Sequence, residues 1–100
     1  MSTDAVLVLG TDDNKELIEL LFNAGLAPVV RKTMRGVLAK LPTERFTAIL
    51  VDRDHSNDDL LEFVLNVRDI DIEIPVFIVG EPADPKSDEM LTRLRNVHFI

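Results

Sequence analysis

The chain is 100 residues long, 46% hydrophobic and 29% charged, the composition of one globular domain spanning residues 1–100 rather than of a disordered tract. Eleven Lys and Arg against 18 Asp and Glu leave a formal net charge of −7, which repels a phosphate backbone and sets nucleic acid aside as a direct partner. There is no cysteine, so disulfides, thiolate catalysis and cysteine-ligated zinc are excluded. Apolar runs stop at about five residues, far short of the roughly 20 that span a bilayer, and no basic stretch precedes the first of them. A cytoplasmic chain without membrane contact is expected.

Ala5–Leu9 (AVLVL) is a continuous apolar run rich in β-branched residues and bounded by Gly10, the pattern of a strand buried on both faces. Asp13, with Glu16 three residues on, forms a capping box that predicts a first helix with Leu17, Ile18, Leu21 and Phe22 on its apolar face. Gly25 supplies a left-handed stop. Pro28–Arg31 (PVVR) reads as a second strand, its proline suited to an edge. Thr33 caps a second helix carrying Met34, Val37, Leu38 and Leu41, which Pro42 ends. Thr47–Asp52 (TAILVD) is a third strand whose apolar run closes on a carboxylate. Ser56 or Asn57 starts a third helix with a stripe of Leu60, Leu61, Val64, Leu65 and Val67. Ile74–Val79 (IPVFIV) is a fourth strand, and Gly80–Lys86 is a loop with two prolines. Ser87 opens a fourth helix with Met90, Leu91 and Leu94, and Val97–Ile100 (VHFI) is a fifth strand.

Strands alternating with helices imply right-handed crossovers and an α/β, doubly wound parallel sheet. Ligand sites in such sheets lie outside the carboxyl ends of the strands. Those ends are acidic here. Asp12 and Asp13 follow the first strand, Asp52 closes the third, and Asp54, Asp58 and Asp59 come behind it. If the first and third strands are neighbours, Asp12 or Asp13 comes within reach of Asp52. Converging carboxylates are stable around a hard cation, and magnesium takes one or two carboxylates while keeping several waters. The competing reading makes Asp12 and Asp13 helix caps, and has Asp58 and Asp59 favour the dipole of the third helix. Solvation alone accounts poorly for a carboxylate that closes an apolar central strand, so Asp52 is the candidate functional residue. Gly10–Asp13 has one glycine and acidic neighbours, which is no cradle for a nucleotide. His55 and His98 each lack the partners of a catalytic constellation, and no serine sits in a nucleophile-elbow pattern. The chain is not expected to be an enzyme.

With this strand order and Asp52 in place, the sequence resembles a response-regulator receiver domain (CheY-like, flavodoxin-like) along essentially its whole length. The stretch FTAILVDRDHSNDDLLEFVLNVR, Phe46 to Arg68, is similar to that family's third strand, phosphoacceptor aspartate, short loop and third helix, and IPVFIVG to its fourth strand. The resemblance implies a five-stranded sheet in the order 2-1-3-4-5 with Asp52 as phosphoacceptor. It further implies a magnesium ion held by Asp12, Asp13, Asp52 and the backbone carbonyl of Asp54. A sensor histidine kinase would be the phosphoryl donor, and an output domain or protein the recipient of the signal. Several positions depart from the family's pattern. Gly80 stands where a serine or threonine is usual, and Gly10 and Thr11 where an acidic pair ends the first strand; Ser56 and Leu60 replace a loop proline and glycine. The lysine expected after the fifth strand and the fifth helix are missing from a sequence that stops at Ile100. An uncovered face around Met90, Leu94, Val97 and Phe99 is then expected to pair two copies as a homodimer. The alternative is a pseudo-receiver, a dimerisation or protein-interaction module that is not phosphorylated.

Overall fold

A computed structural model describes residues 4–10, 14–53, 59–81 and 85–100. Strands and helices alternate as β1 (Asp4–Leu9), α1 (Lys15–Asn23), β2 (Leu26–Arg31), α2 (Met34–Lys40), β3 (Ala48–Asp52), α3 (Leu60–Ile70), β4 (Val76–Val79), α4 (Pro85–Thr92) and β5 (Val97–Phe99). A 3-10 turn, Leu41–Thr43, extends the chain past α2 over Pro42. Every strand pair is parallel, and the order is β2-β1-β3-β4-β5. This is the doubly wound α/β sheet in the order that the resemblance implies.

The apolar runs read as doubly buried strands are the central ones. Every residue of β3 is buried, as are the last four of β1. Alternate side chains serve opposite faces. Leu7, Leu9, Ile49, Val51, Val76 and Ile78 meet Val37 of α2, Phe63, Val64 and Val67 of α3, and Leu91 of α4 in the larger cluster. Val6, Val8 and Leu50 meet Leu21 of α1 in a smaller cluster on the other face, with Leu17 packed against it. Pro28 lies in β2, an edge strand, where its missing N–H costs least.

Three helix starts differ from the sequence expectation. The N-cap of α1 is Asn14, not Asp13, and its side chain accepts from Leu17 N. Asp59, rather than Ser56 or Asn57, caps α3 by accepting from the amides of Leu61 and Glu62 at 3.1 and 3.3 Å. Helix α4 begins at Pro85 instead of Ser87, which uses a residue whose absent N–H is no loss in a first turn. In each case a second residue able to cap or open a helix stood nearby, and local pattern could not choose between them. Thr33 does cap α2, accepting from Gly36 N at 3.0 Å, and Gly25 ends α1 at φ +80°. The apolar faces shift as well. Phe22 is exposed beside the buried Leu21, and α3 buries Phe63 while leaving Leu65 exposed. Neighbours in a helix point about 100° apart, so one-residue errors of phase move a side chain off the core.

A single guanidinium fastens the far edge of the sheet. Arg68, in the last turn of α3, donates to the carbonyl oxygens of Asp71, Ile74, Arg95 and Asn96. Burial pulls its pKa below the ordinary arginine value, and the carboxylates of Asp71 and Glu73 oppose that pull. Asn96, at φ +59°, turns the chain into β5, and its amide nitrogen donates to Glu73 O at 2.7 Å. Lysine cannot reproduce the planar fork, so Arg68→Lys should destabilise by about 2 kcal/mol. At this size that corresponds to a loss of about 10 °C in Tm, which calorimetry would measure.

Candidate functional site

Strands β1 and β3 are neighbours in register, Leu9 beside Val51, so their carboxyl ends open on the same rim of the sheet. Asp52 is the last residue of β3 and pairs with Val79 of β4. It is 3% exposed, the most deeply buried polar or charged residue among those described. Taking a carboxylate out of water is costly unless donors replace the solvent. One such donor is Asn14, whose Nδ2 donates to Asp52 Oδ2 at 2.7 Å. A bond this short to a charged acceptor is of the strong, charge-assisted kind. The other side of Asp52 rests on the backbone of Gly10. That residue continues the β1–β2 ladder by donating to Arg31 O at 3.0 Å, and a Cβ there would meet Asp52 Cβ at 3.1 Å. Gly10, which reads in the sequence as a lost acidic residue, is what lets Asp52 approach β1.

The next residue faces the opposite way and carries the opposite charge. Arg53 places its guanidinium against Asp88 in the first turn of α4, with Nη2 to Oδ1 at 2.8 Å and Nη1 to Oδ2 at 3.4 Å. The same group lies 5.7 Å from the centroid of the Phe99 ring in β5, within cation–π range. Both side chains of the pair are largely shielded, at 7% and 19% exposure. The residue adjacent to Asp52 is thereby anchored to α4 and to β5.

The other sequence candidates fall into three groups. Asp12, Asp13 and Asp54, expected around a magnesium ion, lie outside the described residues, as do Thr11, His55 and Asp58. Asp59 is engaged as the α3 cap. His98 is exposed on β5, where its ring stacks on Phe77 with centroids 5.1 Å apart and Nε2 is 2.8 Å from Asn96 Oδ1. Gly80 follows β4 at φ +125°, a conformation that favours glycine, so a hydroxyl-bearing residue would be strained there. Among the described residues no group of three His, Asp or Glu side chains could hold a metal ion. Asp52 nevertheless fits a hard cation as an oxygen donor, because magnesium needs only one or two carboxylates. Met90 and Phe99 are exposed on the face expected to self-associate, whereas Leu94 and Val97 pack against the larger core cluster.

Sequence reading misses Asn14, Arg53 and Asp88. The one available signal for Asn14 is its residue type directly before an apolar-periodic helix, which marks a cap but not a long-range donor. Nothing local pairs Arg53 with a residue 35 positions away. Two outcomes follow from the geometry. Gly10→Ala brings a methyl to 3.1 Å from Asp52 Cβ, so Asp52 must give by a few tenths of an ångström, and the substitution should cost about 1 kcal/mol, visible in denaturant unfolding. Asp88→Ala strands a shielded guanidinium and should cost about 3 kcal/mol, with Asp88→Glu recovering part of it in the same measurement.

No family model matches the sequence, and no curated protein matches it. Solved structures do match in three dimensions. The chemotaxis protein CheY4 of Vibrio cholerae superposes with a TM-score of 0.81 at 19% identity, covering 99% of this chain and 86% of that one. A CheY-like response regulator receiver domain protein from Methanospirillum hungatei gives 0.80 at 17% identity, over 98% and 81% of the two chains. The receiver domain of the sensor histidine kinase PA1611 from Pseudomonas aeruginosa, solved with a magnesium ion coordinated in its active-site cleft, gives 0.74 at 16% identity, over 100% and 84%. The chain thus has the fold of CheY-like response-regulator receiver domains along nearly its whole length.

Proposed function

We propose that this chain is a receiver module of two-component signal transduction that accepts a phosphoryl group on Asp52. The observation that carries the reading is the placement of that carboxylate. It closes the central strand of a receiver-type sheet, buried and held by an amide donor from the α1 N-terminus. In the proposed step an oxygen of Asp52 attacks the phosphorus of a phosphohistidine on a sensor histidine kinase. The P–N bond breaks with its electron pair going to the imidazole, which takes up a proton, and an acyl phosphate remains on Asp52. Such transfers depend on positioning and charge stabilisation more than on covalent chemistry by the protein. Magnesium would be held by Asp52 with Asp12, Asp13 and the Asp54 carbonyl, and when bound it supplies positive charge beside the transferring group.

The further partners in this reading are an output domain or protein and a second copy of the chain. The module relays a group and is not an enzyme in its own right. The homodimer would use the α4/β5 face, where Met90 and Phe99 remain exposed. A cytoplasmic location belongs to this reading; among the described residues no helix is long and apolar enough to cross a membrane. One observation favours the second reading, a pseudo-receiver that works by contact alone. Gly80 stands where the receiver pattern has a hydroxyl residue at the end of β4, and its φ of +125° disfavours such a side chain.

Acetyl phosphate with magnesium separates the two readings. The first expects the intact mass to rise by one phosphoryl group in the wild type and stay unchanged in Asp52→Asn. An unmodified wild type leaves the second, in which Asp52→Asn is silent while charge reversal on α4 weakens association in sedimentation experiments.

A further inference from the structure

Asn14 is used twice. Its Oδ1 accepts from Leu17 N at 3.2 Å and caps α1, while its Nδ2 donates to Asp52 across a sequence separation of 38 residues. The two contacts define one orientation of a planar group. A carboxamide turned by half a rotation would set its oxygen against the Asp52 carboxylate and its N–H against the N–H of Leu17, so both bonds would become repulsive together. The cap thus aims the donor, and the donor holds the rotamer that caps.

We propose that Asn14 is a connector that reports the chemical state of Asp52 to the first turn of α1. The inference deepens the reading of Asp52 as a phosphoacceptor and rests on it for its biological use. Converting the carboxylate to an acyl phosphate replaces a charged acceptor at Oδ2 with a neutral or bridging oxygen. The Asn14 amide then loses its strong partner or turns towards the new phosphoryl oxygens. Either movement disturbs Oδ1, and with it the bond to Leu17 N. Helix α1 is a suitable receiver of the change. It is nine residues long, and its single described side-chain cap is the residue that touches Asp52. A helix this short depends on its cap and its packing. Thr33 performs the corresponding task for α2 through Gly36 N, and no bond from Thr33 to Asp52 accompanies it, so α2 serves as an internal reference.

The test is a double-mutant cycle read by amide hydrogen exchange, which needs no phosphoryl donor. Asp52→Ala removes the acceptor, and Asn14→Ser keeps a capping oxygen while removing the amide donor. The expected result is that Asp52→Ala speeds exchange at Leu17 by about tenfold, the scale of one hydrogen bond to a charged group, with Gly36 unchanged. In the Asn14→Ser background the same Asp52→Ala change should leave Leu17 exchange unaltered. The Asn14 side-chain amide resonances should also shift in Asp52→Ala. Equal effects of Asp52→Ala in both backgrounds, or none at Leu17, would overturn the proposal; parallel acceleration at Leu17 and Gly36 would also overturn it, since that reports general loosening. Acetyl phosphate with magnesium forms the second arm. If the wild type is phosphorylated, its Leu17 exchange should change, and that of Asn14→Ser should not. A positive cycle with an unmodified wild type rejects the phosphoacceptor reading alone and leaves the connection standing.

Discussion

A carboxylate that ends a strand with no exposed face must find its hydrogen-bond donors within the protein, and this requirement organises the carboxyl rim of the sheet. Asp52 is drawn to β1 because glycine at position 10 leaves no side chain in the way. It is met by Asn14, at the start of α1, across the neighbouring ends of β1 and β3. The polar group that best marks a function is therefore also a structural tie among β1, β3 and α1. Losing the acceptor would remove a charged partner from Asn14, and losing Asn14 would leave the charge short of a donor in a buried place.

The positive side of the molecule's electrostatics is equally internal. The chain is acidic overall, yet two of its arginines are spent on holding the β4–β5 half together. Arg68 gathers carbonyl oxygens where β5 begins, and Arg53 links the end of β3 to Asp88 on α4 and to Phe99. A three-residue edge strand such as β5 makes few ladder bonds of its own, so side chains supply the attachment. Because Arg53 directly follows Asp52, the residue of greatest functional interest stands next to a shielded ion pair that reaches another helix.

The two glycines that break the receiver pattern do so for different physical reasons. At position 10 the constraint is space, since a Cβ there would stand only 3.1 Å from Asp52 Cβ. At position 80 it is backbone conformation, which disfavours any residue with a Cβ. Neither is a neutral loss of a functional group. Each is matched by its local geometry, Gly10 by the nearness of Asp52 and Gly80 by its backbone.

Much of the fold follows from residue order alone. Runs such as AVLVL and AILV, separated by helix-period segments, dictate parallel strands with helical crossovers, because a buried strand can be covered only from its faces and a parallel neighbour must be reached by a long connection. The same reasoning places Asp52 at a carboxyl end. What the sequence leaves open is decided where two local solutions are nearly equivalent or where partners are distant. Asp13 and Asn14 are both good caps, and only the docking of α1 over β3 selects Asn14. Arg53 and Asp88 find each other only once β3, α4 and β5 have packed. Periodicity and capping act over one helical turn, whereas the contacts that give the site its character join residues 35 and 38 positions apart, and such contacts exist only after the chain has folded.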